Sequence, residues 1–250
     1  MSNLWYPKQQ PIAGLAGLGG GATSLAFSSS GFGGDPTANK SVLFDNSHND
    51  WLEVGPSNDF KMGTGDFCIE CFVQFDNNDN QGVWQLEGII SNYPTTMAMA
   101  HNASTWHGYQ GGGTWNYGSG RNTGQWYHTA YTRSGSTNRI FIDGTQIGSF
   151  TNSYDYTGTT IGIGGYYSAS SYTLTGWISN FRVVKGQAIY TSNFTPATSM
   201  LTTTSQGATA SNVKLLCCQN TTVTGATVSP AEVVANGSGS GPDLSSEHPF

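Results

Sequence analysis

The stretch Asp66-Phe-Cys-Ile-Glu-Cys-Phe-Val-Gln-Phe75 places Phe67, Ile69, Cys71, Val73 and Phe75 at every second position. A period of two marks a β-strand, whose side chains leave the backbone on opposite faces in turn. Five apolar groups then share a core-facing side, and Glu70 takes the other side, toward solvent or a groove. Gln125 to Arg133 repeats the alternation and ends in a Ser134-Gly135 turn. Asn138-Arg-Ile-Phe-Ile142 then meets Asp143-Gly144, a dipeptide suited to the left-handed backbone of a two-residue hairpin, and returns through Gln146 to Phe150. Further strand-like runs are Ser41 to Asp45, Asp50 to Val54, Thr160 to Gly164, Gly176 to Lys185 and Asn212 to Gln219. No stretch has a capped 3.6-residue apolar period. Many short strands between frequent turns predict an all-β sandwich or barrel.

Composition agrees. Charged residues are 10% of the 250, and 34 glycines accompany seven Trp, twelve Tyr and twelve Phe. That mixture excludes a coiled coil, and the aromatics can bury a real core. The net charge is −6, with the basic residues scattered singly. A groove that tracks nucleic acid needs clustered cations, so nucleic acid is not an expected partner. No apolar run approaches the roughly 18 residues of a helical span, so no membrane is expected either. Met1 to Phe27 lacks the pattern of a secretory leader, which points to folding in a reducing cytosol. Cys68, Cys71, Cys217 and Cys218 lack zinc-knuckle spacing. They read as buried thiols in strands, with a cross-strand disulfide from Cys71 to the 217/218 pair as the alternative.

Three regions are expected: a Gly-rich arm over 1–35, a sandwich over 36–222, and a Gly/Ser/Pro-rich tail over 223–250. The arm cannot build a core alone. Docked on a neighbouring subunit, it would be anchored by Trp5, Tyr6, Leu15, Leu18, Leu25 and Phe27.

Four ordered phrases carry a family resemblance: Gly65-Asp-Phe-Cys-Ile-Glu-Cys-Phe-Val, Gly124-Gln-Trp-Tyr-His-Thr-Ala-Tyr-Thr-Arg, Ile140-Phe-Ile-Asp-Gly and Gly176-Trp-Ile-Ser-Asn-Phe-Arg-Val-Val-Lys-Gly. Over residues 40 to 220 the chain resembles the LamG-like, concanavalin A-like jelly roll, a sandwich of two antiparallel sheets. Tyr190-Thr-Ser-Asn-Phe-Thr-Pro196 is similar to a phrase in such domains of marine and cyanobacterial phage structural proteins. The resemblance implies a non-enzymatic virion protein assembled in the host cytoplasm. It would decorate the capsid or form a short fibre, touch other virion proteins and assemble as a symmetric homo-oligomer. The alternative is a tail-fibre lectin that recognises host surface polysaccharide.

The site candidates follow. Glucanases of this fold carry acids at i, i+2 and i+4 of one strand. Here Asp66 and Glu70 have only the i, i+4 relation, with Cys68 between them, so no catalytic residue is assigned. His128 reads as a packed structural residue. No cofactor is expected apart from calcium: Asp76, Asn78, Asn80 and Glu87 space oxygens somewhat like an EF-hand loop, although Gln81 stands where that loop needs Gly. A second oxygen-rich turn holds Asp45, Asn46, Asn49 and Asp50. The binding candidates are aromatic: Trp106, His107, Tyr109, Trp115 and Tyr117 among the Gly, Ser, Thr and Asn of residues 101–117, with Tyr166 and Tyr167 in a second set. Flat rings among amides and hydroxyls suit a saccharide, and equally suit a protein partner.

Overall fold

β3 (Phe67–Phe75) is buried along all nine of its residues, so both faces of this strand are covered. The computed structural model describes residues 40–87, 97–101, 105–110, 113–118, 120–165 and 172–250. The arm and its anchors Trp5, Tyr6, Leu15, Leu18, Leu25 and Phe27, together with Tyr166 and Tyr167, lie outside the described residues.

In chain order the other strands are β1 (Ser41–Phe44), β2 (Trp51–Val54), β4 (Gln81–Leu86), β5 (Met97–His101), β6 (Trp106–Gln110), β7 (Gly113–Tyr117) and β8 (Trp126–Ser134). They continue as β9 (Thr137–Ile142), β10 (Thr145–Thr151), β11 (Ile161–Ile163), β12 (Gly176–Lys185), β13 (Val213–Cys217), β14 (Ala226–Val228), β15 (Val233–Asn236) and β16 (Asp243–Ser245). One sheet has nine strands, in the order β10-β9-β8-β3-β12-β1-β16, with β13 and β14 branching from β12. The other has seven, in the order β15-β2-β11-β4-β5-β6-β7. Every pairing is antiparallel. The expected two-sheet antiparallel sandwich is therefore the fold.

The alternation of β3 explains the layers. Phe67, Ile69, Cys71, Val73 and Phe75 join Phe44, Trp84, Tyr131, Tyr156 and Phe181 in the main core. The opposite face is covered as well. Cys68 packs there with Ala130, Phe141, Val184, Tyr190, Leu201 and Leu216. The strap that supplies Tyr190 and Leu201 follows β12 and crosses the outer face of the nine-stranded sheet. Two backbone features hold it. Asn180 interrupts the β12–β3 register with a left-handed φ of 56°. At this bulge its side-chain oxygen accepts from the Leu201 amide at 2.7 Å. Gly144, with a φ of 76°, lies against the Phe194 carbonyl, which leaves no room for a Cβ.

One expectation is corrected. Residues 223–250 are not a separate tail: β14 extends the nine-stranded sheet, β15 pairs with β2, and β16 pairs with β1. Their Gly- and Pro-rich turns had hidden three short strands. β6 and β7, which carry the first aromatic set, pair antiparallel in the seven-stranded sheet.

Candidate functional site

The densest polar chemistry lies under the strap. Glu70 sits between β8 and β12, opposite Ala130 and Arg182. It is wholly buried, which corrects the expectation that it faces solvent or a groove. Arg182 donates to Glu70 Oε1 through Nε at 2.9 Å and Nη2 at 2.6 Å. His128 Nε2 lies 3.0 Å from Oε2, and the Tyr190 hydroxyl donates to Oε2 at 2.8 Å. The third guanidinium nitrogen of Arg182 donates to the Thr202 carbonyl at 2.7 Å and to the Ser205 carbonyl at 3.0 Å. Burial alone would raise the Glu70 pKa. The His128 hydrogen bond and the Arg182 charge outweigh burial and hold the carboxyl below its usual 4.5. Burial also pushes up the Cys68 thiol and the Tyr190 hydroxyl, with the Glu70 charge adding to the effect.

This is a saturated ion pair that fastens the strap. Asp66 stands four residues away along β3, about 13 Å at the usual rise per residue, and its carboxylate accepts from the Gly135 amide at 2.7 Å. With Glu70 buried and bound by Arg182, and Asp66 taken up by the Gly135 amide, the two carboxyls do not stand open together to a substrate. His128 packs edge-on against Phe72 and Phe194, as a structural residue would. Sequence reasoning missed Arg182, Tyr190 and the carbonyls they organise. A signal existed: an arginine within the run Asn180-Phe-Arg-Val-Val184 needs an anionic partner when that run is buried.

The calcium reading is corrected by geometry. Asp76 follows β3, whereas Glu87 lies beyond β4, a strand about 20 Å long. Glu87 accepts from Thr159 through its amide at 2.7 Å and its hydroxyl at 2.6 Å. Within the loop, Asn77 accepts from the Asp79 amide at 2.9 Å and from the Gln81 side chain. Arg121 donates to the Asn77 and Asp79 carbonyls at 2.6 and 3.2 Å and stacks 3.7 Å from the Phe75 ring. A guanidinium, its pKa lowered by burial to about 10, thus turns the loop's carbonyls toward itself. Asn78 and Asn80 are not gathered with Glu87. At the second oxygen-rich turn, the Asp45 carboxylate caps a 3-10 turn by accepting from the Ser47 amide at 2.8 Å. Among the described residues, no three His, Cys, Asp or Glu side chains converge to hold a metal.

The aromatic candidates separate. Trp106 is 3% exposed and packs against His101, Phe75 and Tyr127 at ring distances of 4.9–5.7 Å. It is a core residue, because β6 turns it inward. His107 is also buried; its Nε2 lies 3.1 Å from the Thr105 hydroxyl, and burial lowers its pKa. Tyr109 pairs in register with Thr114, Trp115 with Gly108, and Tyr117 with Trp106. The four cysteines are buried free thiols, with Cys217 and Cys218 sulfurs 3.6 Å apart.

Residues 45–188 match the model of the concanavalin A-like lectin/glucanases superfamily. The chain belongs to this superfamily. No curated protein matches the chain. Among solved structures it is similar to a candidate carbohydrate-binding protein from Bacteroides ovatus, at 15% identity and a TM-score of 0.55 over 82% of this chain. The chain spans 59% of that protein. It is equally similar to the heptameric SAP-like pentraxin of Limulus polyphemus, at 14% identity and a TM-score of 0.55, covering 85% of this chain and 97% of that one. At such identities the likeness concerns the fold.

Proposed function

We propose that this superfamily member is a non-enzymatic, lectin-like surface protein of a bacteriophage particle, attached through residues 1–35 and contacting host surface glycans. One observation carries the non-enzymatic part. Among the described residues, the only fully buried carboxylate on the outer face of the nine-stranded sheet is neutralised by Arg182 and lies under residues of the protein's own strap. A substrate would have to displace that strap to meet Glu70. Family membership supports the lectin-like part, and the phage-like phrase at Tyr190 to Pro196 supports the virion part. Decoration of a particle as a homo-oligomer belongs to the same proposal.

Two measurements test it on the intact chain. A glycan array carrying host-envelope polysaccharides should give specific binding, and a reducing-sugar assay on the same polysaccharides should stay at background. Release of reducing ends would remove the non-enzymatic claim. A silent array would remove the glycan claim. Cryo-EM of the particle should show the sandwich on its surface.

A further inference from the structure

Away from the Glu70 network, β9 and β10 present a second polar surface on the outer face of the nine-stranded sheet. Alternation places Thr137, Arg139 and Phe141 on one side of β9. Ser149 lies opposite Arg139, and Gln146 lies opposite Phe141. Phe141 belongs to the cluster beneath the strap, so the row lies on the strap's side of the sheet. The strap passes alongside at residues 191–193 and closes an open depression of about 640 Å³. Its wall is pinned at three points. The Tyr190 carbonyl accepts from the Thr132 hydroxyl at 2.8 Å. The Asn193 side-chain oxygen accepts from the Gln146 amide at 2.9 Å, and the Phe194 amide donates to the Gly144 carbonyl at 2.9 Å. The depression is thus built before any ligand arrives, and its size suits a small ligand.

The lining chemistry narrows the ligand. Hydroxyls come from Thr137, Ser149, Thr191 and Ser192, and amides from Gln146 and Asn193. Among the described residues, Arg139 is the one cation in the lining, and no acid is present there. Its planar guanidinium fork, set in the lining, matches a carboxylate. Among the described residues no aromatic ring lines the depression, so none of them would stack a base. We propose that this depression binds an acidic saccharide, the carboxylate of a sugar acid against Arg139 and the ring hydroxyls on the Ser, Thr and amide groups. The inference rests on the glycan-binding function proposed above and names its site and ligand class.

The test is titration of the full chain, by calorimetry or ligand-observed NMR, with oligomers of galacturonate, glucuronate and mannuronate, their methyl esters, and neutral cello-oligosaccharides. At least one uronate oligomer should bind, and its methyl ester should bind at least tenfold more weakly. Arg139→Gln should lose tenfold or more, and Ser149→Leu, which fills the depression, should do likewise. Melting temperatures should stay close to that of the wild type, because among the described residues neither the Arg139 nor the Ser149 side chain is tied into a hydrogen bond that holds the fold. Uronate binding unaffected by both substitutions would overturn the site and leave glycan binding intact. Binding of neutral sugars alone would overturn the ligand class in the same way. Failure of every glycan, here and on the array, would overturn both proposals.

Discussion

Glu70 shows how one side chain can change meaning between sequence and fold. On the strand pattern it is the outward carboxylate that a hydrolase would use; in the sandwich it is an internal counter-ion with four hydrogen bonds to Arg182, His128 and Tyr190. Removing one partner of a buried pair strands the other, so Glu70→Gln should lose about 3–5 kcal/mol at pH 7, read by urea denaturation. The pH dependence has a definite sign. The folded-state pKa lies below 4.5, so the ionised carboxyl contributes its full stability above that pH. The contribution fades as pH falls from 4.5 through the folded pKa. The stability gap between wild type and variant should therefore narrow from pH 6 to pH 3; a constant gap would argue that Glu70 is not ionised in the fold. Trp106 makes the complementary case. As a core residue it should cost about 3–5 kcal/mol on Trp106→Ala, visible as a large drop in melting temperature. A variant that lost glycan binding at unchanged stability would contradict its placement.

At the scale of elements, the strap decides what the outer face can do. Gly144 is its closest fastening: the position needs a left-handed backbone and has no space for a side chain beside Phe194. Gly144→Ala should cost about 2 kcal/mol or more, combining backbone strain with displacement of the strap. Faster amide exchange and earlier proteolytic cutting within residues 186–205 would report it, with β3 and β8 less affected. The hairpin that carries this glycine was legible, since Asp143-Gly144 names its turn locally. All nine strands read from alternation or from β-rich runs are present. The hairpin β6–β7 was not legible, because His107, Gly108 and Gly113 break the apolar period. Gly108 is small for a reason that only the fold reveals: a Cβ there would run into Ile140. The roof over Glu70 was equally hidden. Alternation reports that one face of a strand is apolar and says nothing of cover arriving from residues more than a hundred positions away.

For the whole molecule, the residues after position 222 complete the body, and Lys40–Phe250 forms one compact unit. β15 covers the edge of β2 and β16 covers the edge of β1, so one short segment protects both sheets. Phe250 ends the chain edge-on against Phe72, 5.0 Å away. Truncation after residue 222 would expose the edges of β13, β2 and β1 at once, the usual route to edge-to-edge association. It would also remove Glu232, Asp243 and Glu247 without removing any Lys or Arg, weakening the net negative charge that keeps molecules apart. The chain 1–222 should therefore aggregate or elute as large species, and residues 40–250 alone should stay folded and melt cooperatively. Light scattering coupled to size exclusion, with circular dichroism on the same fractions, separates the outcomes. A monodisperse 1–222 chain with an unchanged melting temperature would show that β15 and β16 are dispensable decoration. Loss of the strand signal in 40–250 would show that the sandwich depends on its first 39 residues.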